Sequence, residues 1–331
     1  MKSKNNTFKF IRATSEDLEA LTSIRDGETK IGQEVQAGFT PDSGPRYVVL
    51  GISEDLGPQA NGGFPGSVTA YAAFLKRFLN VQSNRFLSGD SVGVLGEIRS
   101  LVTFQDLAQG REAVCELDDF VVGILQPYVA AGSIPIVIGG GHNNAYPLLK
   151  VVSQQLNAPI QAINFDPHAD FRPLEGRHSG NPFSYAFHDG FLDLYAVLGL
   201  HQSYNSRFIL EALDNHGMLY SFFDDYLSGK SVFEQDLETF AQKIHGKPFG
   251  MELDMDAIAG MPSSAFSPSG MSLEQARKYV LRIGASENVR YFHLPEAAPV
   301  TSRDEAVAGK ALAYLVADFI KAASNHAPGF N

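Results

Sequence analysis

The sequence predicts an α/β fold of three layers, αβα, around a mostly parallel central sheet. Three observations lead there. Short runs of unbroken apolar residues recur along the chain, such as Tyr47 to Ile52 (YVVLGI) and Ile134 to Ile138 (IPIVI). A strand that is apolar at every position, rather than at alternate ones, is covered on both faces, and longer amphipathic stretches fit between most of the runs as the covering helices. Polar clusters also follow three of these runs directly, at the carboxyl ends of strands, where open α/β sheets hold their ligands.

In chain order, the expected strands are Tyr47 to Ile52, Ser91 to Leu95, Ile134 to Ile138, Ile160 to Phe165, Leu194 to Leu200, Leu219 to Phe223, Phe249 to Leu253 and Val289 to Leu294. The expected helices include Ser67 to Leu79, Glu112 to Ala131, Ser206 to His216, Phe233 to Ile244, Leu273 to Ile283 and Asp304 to Ala323. Residues 1–44 are less regular and read as an arm or an edge element. No Ser/Gly/Pro-rich linker, long charge run or fixed-period repeat divides the chain, so residues 1–331 are expected to form a single domain.

Composition removes several classes of function. The chain is 44% hydrophobic and 19% charged, which supplies apolar surface for a large core. Cys115 is the only cysteine, excluding an intrachain disulfide and a thiolate zinc site. The opening MKSKNNTFKF is too polar for a signal peptide, and no apolar run reaches the ~20 residues of a membrane span, so the expectation is a cytoplasmic protein without a membrane partner. A net charge of −11 argues against a nucleic-acid partner. It also means that an anionic substrate must be met by a local basic patch.

The chemistry concentrates at three strand ends. IPIVIGGGHNN closes an apolar strand with three glycines, which allow a sharp turn and a close approach, and presents His142. INFDPHADFR carries Asp166, His168 and Asp170; in an extended chain these i, i+2 and i+4 positions share one face. Burying two carboxylates beside an imidazole without a cation costs several kcal/mol per unpaired ion, so a bound metal is the economical reading. FGMELDMD repeats the pattern with Asp254 and Asp256. Two histidines and four aspartates are hard-to-borderline donors, suited to Mn²⁺.

On these motifs the sequence resembles the ureohydrolases, the family of arginase, agmatinase and formimidoylglutamase. The pattern is a glycine-rich turn ending in His, then Asp-x-His-x-Asp, then Asp-x-Asp, and all six positions are present in order. GISEDLGPQANGGFPG (Gly51 to Gly66) is similar to the family's early loop, and HLPEAAP (His293 to Pro299) to its late glutamate-bearing strand end. The resemblance implies an arginase-like fold and two Mn²⁺ per chain. His142, Asp166, Asp170 and Asp254 would hold one ion and His168, Asp166, Asp254 and Asp256 the other, so that Asp166 and Asp254 bridge. It implies hydrolysis of a linear amidine or guanidine, with Asp170 positioning the nucleophile and handling its proton and Glu296 orienting the cationic amidino group. It also implies a homo-oligomer.

Some positions depart from the family pattern. Pro167 stands where Ala is usual, Phe183 stands where the arginase loop continues with His, and AIAGMPSSAFSPSGMS replaces the Pro-Gly-rich loop after Asp256. GGGH and the Ser-Gly-x-Pro-Phe loop look like formimidoylglutamases, which convert N-formimino-L-glutamate to L-glutamate and formamide in histidine degradation. Arg172, Arg177, Ser179 and Asn181, in the loop after the metal motif, are the expected substrate-binding residues. The competing readings are an agmatinase or other guanidino hydrolase that releases urea, and a catalytically silent, metal-binding oligomeric protein.

Overall fold

The computed structural model describes residues 7–324. Among the described residues, ten strands form one sheet: β1 (Phe8–Arg12), β2 (Gln36–Ala37), β3 (Tyr47–Ser53), β4 (Val92–Ser100), β5 (Ile134–Ile138), β6 (Ile160–Phe165), β7 (Leu192–Leu200), β8 (Leu219–Phe222), β9 (Phe249–Leu253) and β10 (Val289–Leu294). Their order across the sheet is β1-β4-β3-β5-β10-β9-β6-β7-β8, with the short β2 also on β4. Every pairing is parallel except that of β1 with β4. The N-terminal segment therefore contributes the antiparallel edge strand.

The sheet is sandwiched as the unbroken apolar runs require. β3, β6 and β9 are buried at every position. One apolar layer joins Ile163, Phe165, Met251, Leu253, Phe292 and Leu294 to helices Ala70–Phe78, Phe233–Ile244, Leu273–Ile283 and Ser302–Ser324. The other joins Val48, Val137, Ala162, Tyr195 and Tyr291 to helices Leu107–Ala130, Ala145–Leu156, Pro182–His188 and Arg207–Asn215.

Element boundaries moved where local polarity hid the pattern. β4 runs to Ser100 rather than Leu95, since β1 and β3 continue to pair with it past Gly96, through residues as polar as Glu97 and Arg99. The helix expected from Glu112 starts at Leu107, because the Asp106 side chain caps it by accepting the Gln109 N–H. Helix Ala145–Leu156, directly after His142, was not anticipated; its polar Asn143–Asn144 entrance reads as loop.

Candidate metal centre

Sheet order explains how residues far apart in sequence meet. β5, β10, β9 and β6 are neighbours, and each ends in a piece of the site. His142 follows β5, Glu296 follows β10, Asp254 and Asp256 follow β9, and Asp166, His168 and Asp170 follow β6. The turn after β5 requires its glycines. Gly140 has φ +71°, and a Cβ there would stand 2.5 Å from Asn144 Nδ2. The turn is tied down by Glu54, whose buried carboxylate accepts from the Gly141 N–H at 2.9 Å and from Asn144 Nδ2 at 2.8 Å. Glu296 links it to β10: its N–H donates to Gly140 O at 2.9 Å, while its Oε1 accepts the His142 N–H at 2.7 Å.

The His142 ring enters a ring of carboxylates. Its Nδ1 lies 3.1 Å from Asp166 Oδ2 and 3.0 Å from both Asp170 Oδ2 and Asp254 Oδ2. His168 Nδ1 lies 3.6 Å from Asp166 Oδ1 and 3.9 Å from Asp256 Oδ2. Local hydrogen bonds aim the acids: Asp166 accepts from the His168 N–H at 2.7 Å and from Asn164 Nδ2 at 2.8 Å, and Asp254 accepts from the Asp256 N–H at 2.7 Å. Asp170 and Glu296 adopt left-handed backbone, φ +46° and +66°. Such strain in non-glycine residues persists where surrounding structure holds it, often at functional sites.

The donor set fits divalent cations. Donor atoms of His142, Asp166, Asp170 and Asp254 all lie within 4.8 Å of one another. Burial, with the charge of Asp166 next in weight, pushes the Asp170 carboxyl up; burial and the charges of Asp256 and Asp166 hold Asp254 well above the usual carboxylate range. Burial would depress His142, but hydrogen bonding to Asp166, Asp170 and Asp254 outweighs it and holds the imidazole well above its ordinary value. Asp170 and Asp254 thus resist ionisation beside Asp166, whose own carboxyl burial would raise but His142 and His168 hold low, and a cation among them would relieve that repulsion. The carboxylate and imidazole donors match Mn²⁺ chemistry.

A cavity of about 220 Å³ opens over these groups. Its wall includes His168, Asp170, Asp254, Asp256 and Glu296, together with Arg172, Ser179, Asn61, Phe64, Tyr204 and Ser264. Arg172 donates to Asn61 Oδ1 at 2.8 Å and pairs with Glu175 at 2.7 Å. Glu296 Oε2 accepts from the Ser264 hydroxyl.

Two expected substrate-binding residues are placed elsewhere. Arg177 is buried behind the wall, its guanidinium 3.0 Å from Asp118, with further hydrogen bonds to Asn143 O and Asn181 Oδ1. Tyr146 and Tyr185 flank it, their ring centroids 4.5 and 5.2 Å away. Asn181 is fully buried and serves Arg177 and the His178 backbone. Arg177 is buried and absent from the cavity wall, as is Asn181, so both residues brace the loop rather than line the cavity. Phe183 is likewise buried, edge-on to the His142 ring at 5.3 Å and stacked on Tyr195 at 4.2 Å. It packs beneath the site.

Other contributors were not foreseen. Asn205 clamps the metal loop, accepting the Ala169 N–H and donating to Pro167 O, both at 2.9 Å. Tyr204 stacks on His168 at 5.2 Å. Both lie just beyond the end of β7, the next strand after β6, so their distance along the sheet was the signal available. Glu54 and Glu252 are buried acids, and the anomaly of Glu252 inside the apolar run FGMEL was visible in the sequence.

Comparison with known proteins places the chain. Residues 101–321 match the model of the Arginase family. The chain belongs to the arginase family and is a hydrolase of amidine carbon–nitrogen bonds. Among its relatives, formimidoylglutamase of Streptococcus pyogenes serotype M3 is 26% identical over 299 residues, spanning 84% of this chain and 85% of that protein. The formimidoylglutamase structure from Bacillus subtilis superposes with a TM-score of 0.75 at 18% identity, covering 94% of this chain and 97% of that one. The Mn²⁺-bound formiminoglutamase of Trypanosoma cruzi gives 0.71 at 21% identity, covering 89% and 98%. Proclavaminate amidino hydrolase from Streptomyces clavuligerus shares the fold at 0.67 and 18% identity, over 84% and 93%. The expected αβα architecture is thus the family's own. Among the described residues no helix is long and apolar enough to cross a membrane.

Proposed function

We propose that the protein hydrolyses N-formimino-L-glutamate to L-glutamate and formamide, using two Mn²⁺ ions held by His142, Asp166, Asp170 and Asp254 and by His168, Asp166, Asp254 and Asp256. The observation that carries this is one cavity lined by His168, Asp170, Asp254, Asp256, Glu296 and Arg172, with His142 and Asp166 buried directly behind Asp170 and Asp254. When bound, the ions supply Lewis acidity and bring a water's pKa near neutrality, so that a hydroxide is available to attack the amidine carbon.

The chain's own residues do the rest. Asp170, in the cavity wall beside His142, accepts a hydrogen bond from the nucleophile and passes its proton to the departing nitrogen. Glu296, held by the His142 N–H and the Ser264 hydroxyl, orients the cationic formimino group. Arg172 takes a substrate carboxylate. It is the one Lys or Arg among the described cavity-lining residues, in a chain of net charge −11; its half-exposed guanidinium pairs with Glu175 in this structure, and a substrate carboxylate would take the place of that contact. Ser179 and Asn61 add neutral donors beside it, with Asn61 Nδ2 3.4 Å from the Ser179 hydroxyl.

The 26% identical formimidoylglutamase relative supports this choice, and agmatine's cationic tail would need acids where Arg172 stands. The test is a panel of formiminoglutamate, agmatine, arginine and proclavaminate-type guanidines on Mn²⁺-loaded protein, with formamide, urea and ammonia measured separately. Formamide from formiminoglutamate alone is expected. Urea from agmatine or arginine, with formiminoglutamate untouched, would overturn the substrate assignment and leave the hydrolytic class standing.

A further inference from the structure

Beneath His142, on the side away from the cavity, lies a buried acid that the reaction does not use. Glu252 on β9 is fully buried, and His293 on the neighbouring β10 is its partner in register. Glu252 Oε2 lies 2.7 Å from His293 Nδ1, and Oε1 accepts the Tyr291 hydroxyl at 2.7 Å. Room for that phenol exists because residue 250 is glycine: a Cβ there would stand 2.2 Å from the Tyr291 oxygen. The Tyr279 hydroxyl reaches the Glu252 carbonyl at 2.9 Å, securing the backbone as well. His142 Nε2 has no hydrogen-bond partner within direct bonding geometry, and the Glu252 Oε2 carboxylate oxygen is 3.4 Å away.

These contacts assign protons. Glu252 Oε2, with a donor on its other oxygen, accepts from His293 Nδ1–H and faces His142 Nε2. An imidazole that faces an ionised acid at Nε2 keeps its proton there, so the proton that a bound ion displaces is the one on Nδ1. Nδ1 is the atom 3.0–3.1 Å from the three aspartates. His142, Glu252 and His293 also converge closely enough to suggest a cation among themselves. The 2.7 Å contact between Glu252 and His293 is instead a hydrogen-bond distance, with Tyr291 on the remaining oxygen.

We propose that Glu252, itself pinned by His293 and Tyr291, is a positioning residue that holds His142 in the tautomer and orientation needed to ligate the ion shared with Asp166, Asp170 and Asp254. This rests on the dinuclear site proposed above. A carboxylate behind a ligating histidine fixes the ring and raises its basicity, and losing one typically costs roughly ten- to a hundredfold in metal affinity.

The experiment titrates Mn²⁺ into chelator-stripped full-length protein, reading free Mn²⁺ by electron paramagnetic resonance and stability by thermal melting. Wild type is expected to bind two ions. Glu252→Gln should weaken one of them by roughly ten- to a hundredfold and spare the other, whose histidine ligand is His168. Met251→Ala, one residue earlier on the same strand but facing the opposite layer, should lower Tm while sparing both affinities. Tyr291→Phe keeps the Glu252 charge and the ring but releases Oε1, and should weaken the same ion by about two- to tenfold. Should Glu252→Gln not fold, Tyr291→Phe decides alone. Two ions bound at wild-type affinity in a folded Glu252→Gln or Tyr291→Phe variant would overturn the inference and leave the site intact. Wild-type protein that binds no Mn²⁺ would overturn the site itself.

Discussion

The two faces of the sheet part company at its carboxyl edge. On β9 and β10, the side chains of Met251, Leu253, Phe292 and Leu294 enter a layer of hydrocarbon that continues into the helices Leu273–Ile283 and Ser302–Ser324. On the same strands, Glu252, Tyr291 and His293 point the other way, and Asn164 on β6 bonds Tyr195 at 2.9 Å and Asp166 at 2.8 Å. Both faces are closed to water, yet one is apolar to its end and the other becomes a polar floor below the site. The difference teaches what each side is for. The apolar face supplies stability through burial, and the polar face spends some of that stability to hold six donors and Glu296 in place.

Changes on the two faces should therefore fail differently. The largest effect on turnover is expected at Glu296→Gln, which keeps the side chain's shape and removes the charge meant for the amidino group. kcat should fall on the order of a hundredfold, the scale of a lost charge-assisted contact, while the metal count holds. Wild-type kinetic constants would return Glu296 to a structural role.

Met251→Ala is the mirror experiment. Deleting a fully buried methionine should cost about 2–5 kcal/mol of stability in denaturant titration, with kcat/KM per folded molecule unchanged. A specific loss of activity without loss of stability would erase the distinction between the faces. Arg172→Lys, at the cavity rim, should raise KM for formiminoglutamate by roughly tenfold or more at constant metal content, since an ammonium cannot reproduce the fork. An unchanged KM would place substrate recognition elsewhere.

The smallest effect concerns His178, behind the substrate loop. Burial, then the charge of Arg172, holds its pKa down to about 4, and its Nδ1 accepts the Gly180 N–H at 3.1 Å, which requires a lone pair there. Between its folded pKa and the ordinary ~6.5, the unfolded chain binds a proton that the folded chain refuses, so this group's contribution to stability is lost as pH falls through that window. Thermal melts from pH 7 to pH 4.5 should decline more steeply for wild type than for His178→Gln. Parallel declines would remove His178 as the cause.

Much of this was legible in the sequence, for a physical reason. Unbroken apolar strands announce a parallel sheet, and charged ligand types directly after them announce a site, so the αβα class and the placing of the ligands at strand ends followed from local pattern, while their grouping into one site followed from the family resemblance. What stayed hidden depended on tertiary pairing. β1 reads as an irregular arm until β4 offers it an edge. Arg177 and Asn181 stand close to the metal motif in sequence, but Asp118, on the helix Leu107–Ala130, turns Arg177 inward, and no local pattern connects them. The partnership of Glu252 with His293 depends on β9 and β10 being neighbours in register.

The central claim is that shared carboxylates on the polar face hold two ions, and the most direct measurement is the metal content of Asp254→Ala. This variant removes a carboxylate placed between both proposed ligand sets. After Mn²⁺ loading and removal of free metal, elemental analysis should find about two ions per wild-type chain and at least one fewer in the folded variant, with most activity gone. Two ions per chain in folded Asp254→Ala would contradict the account.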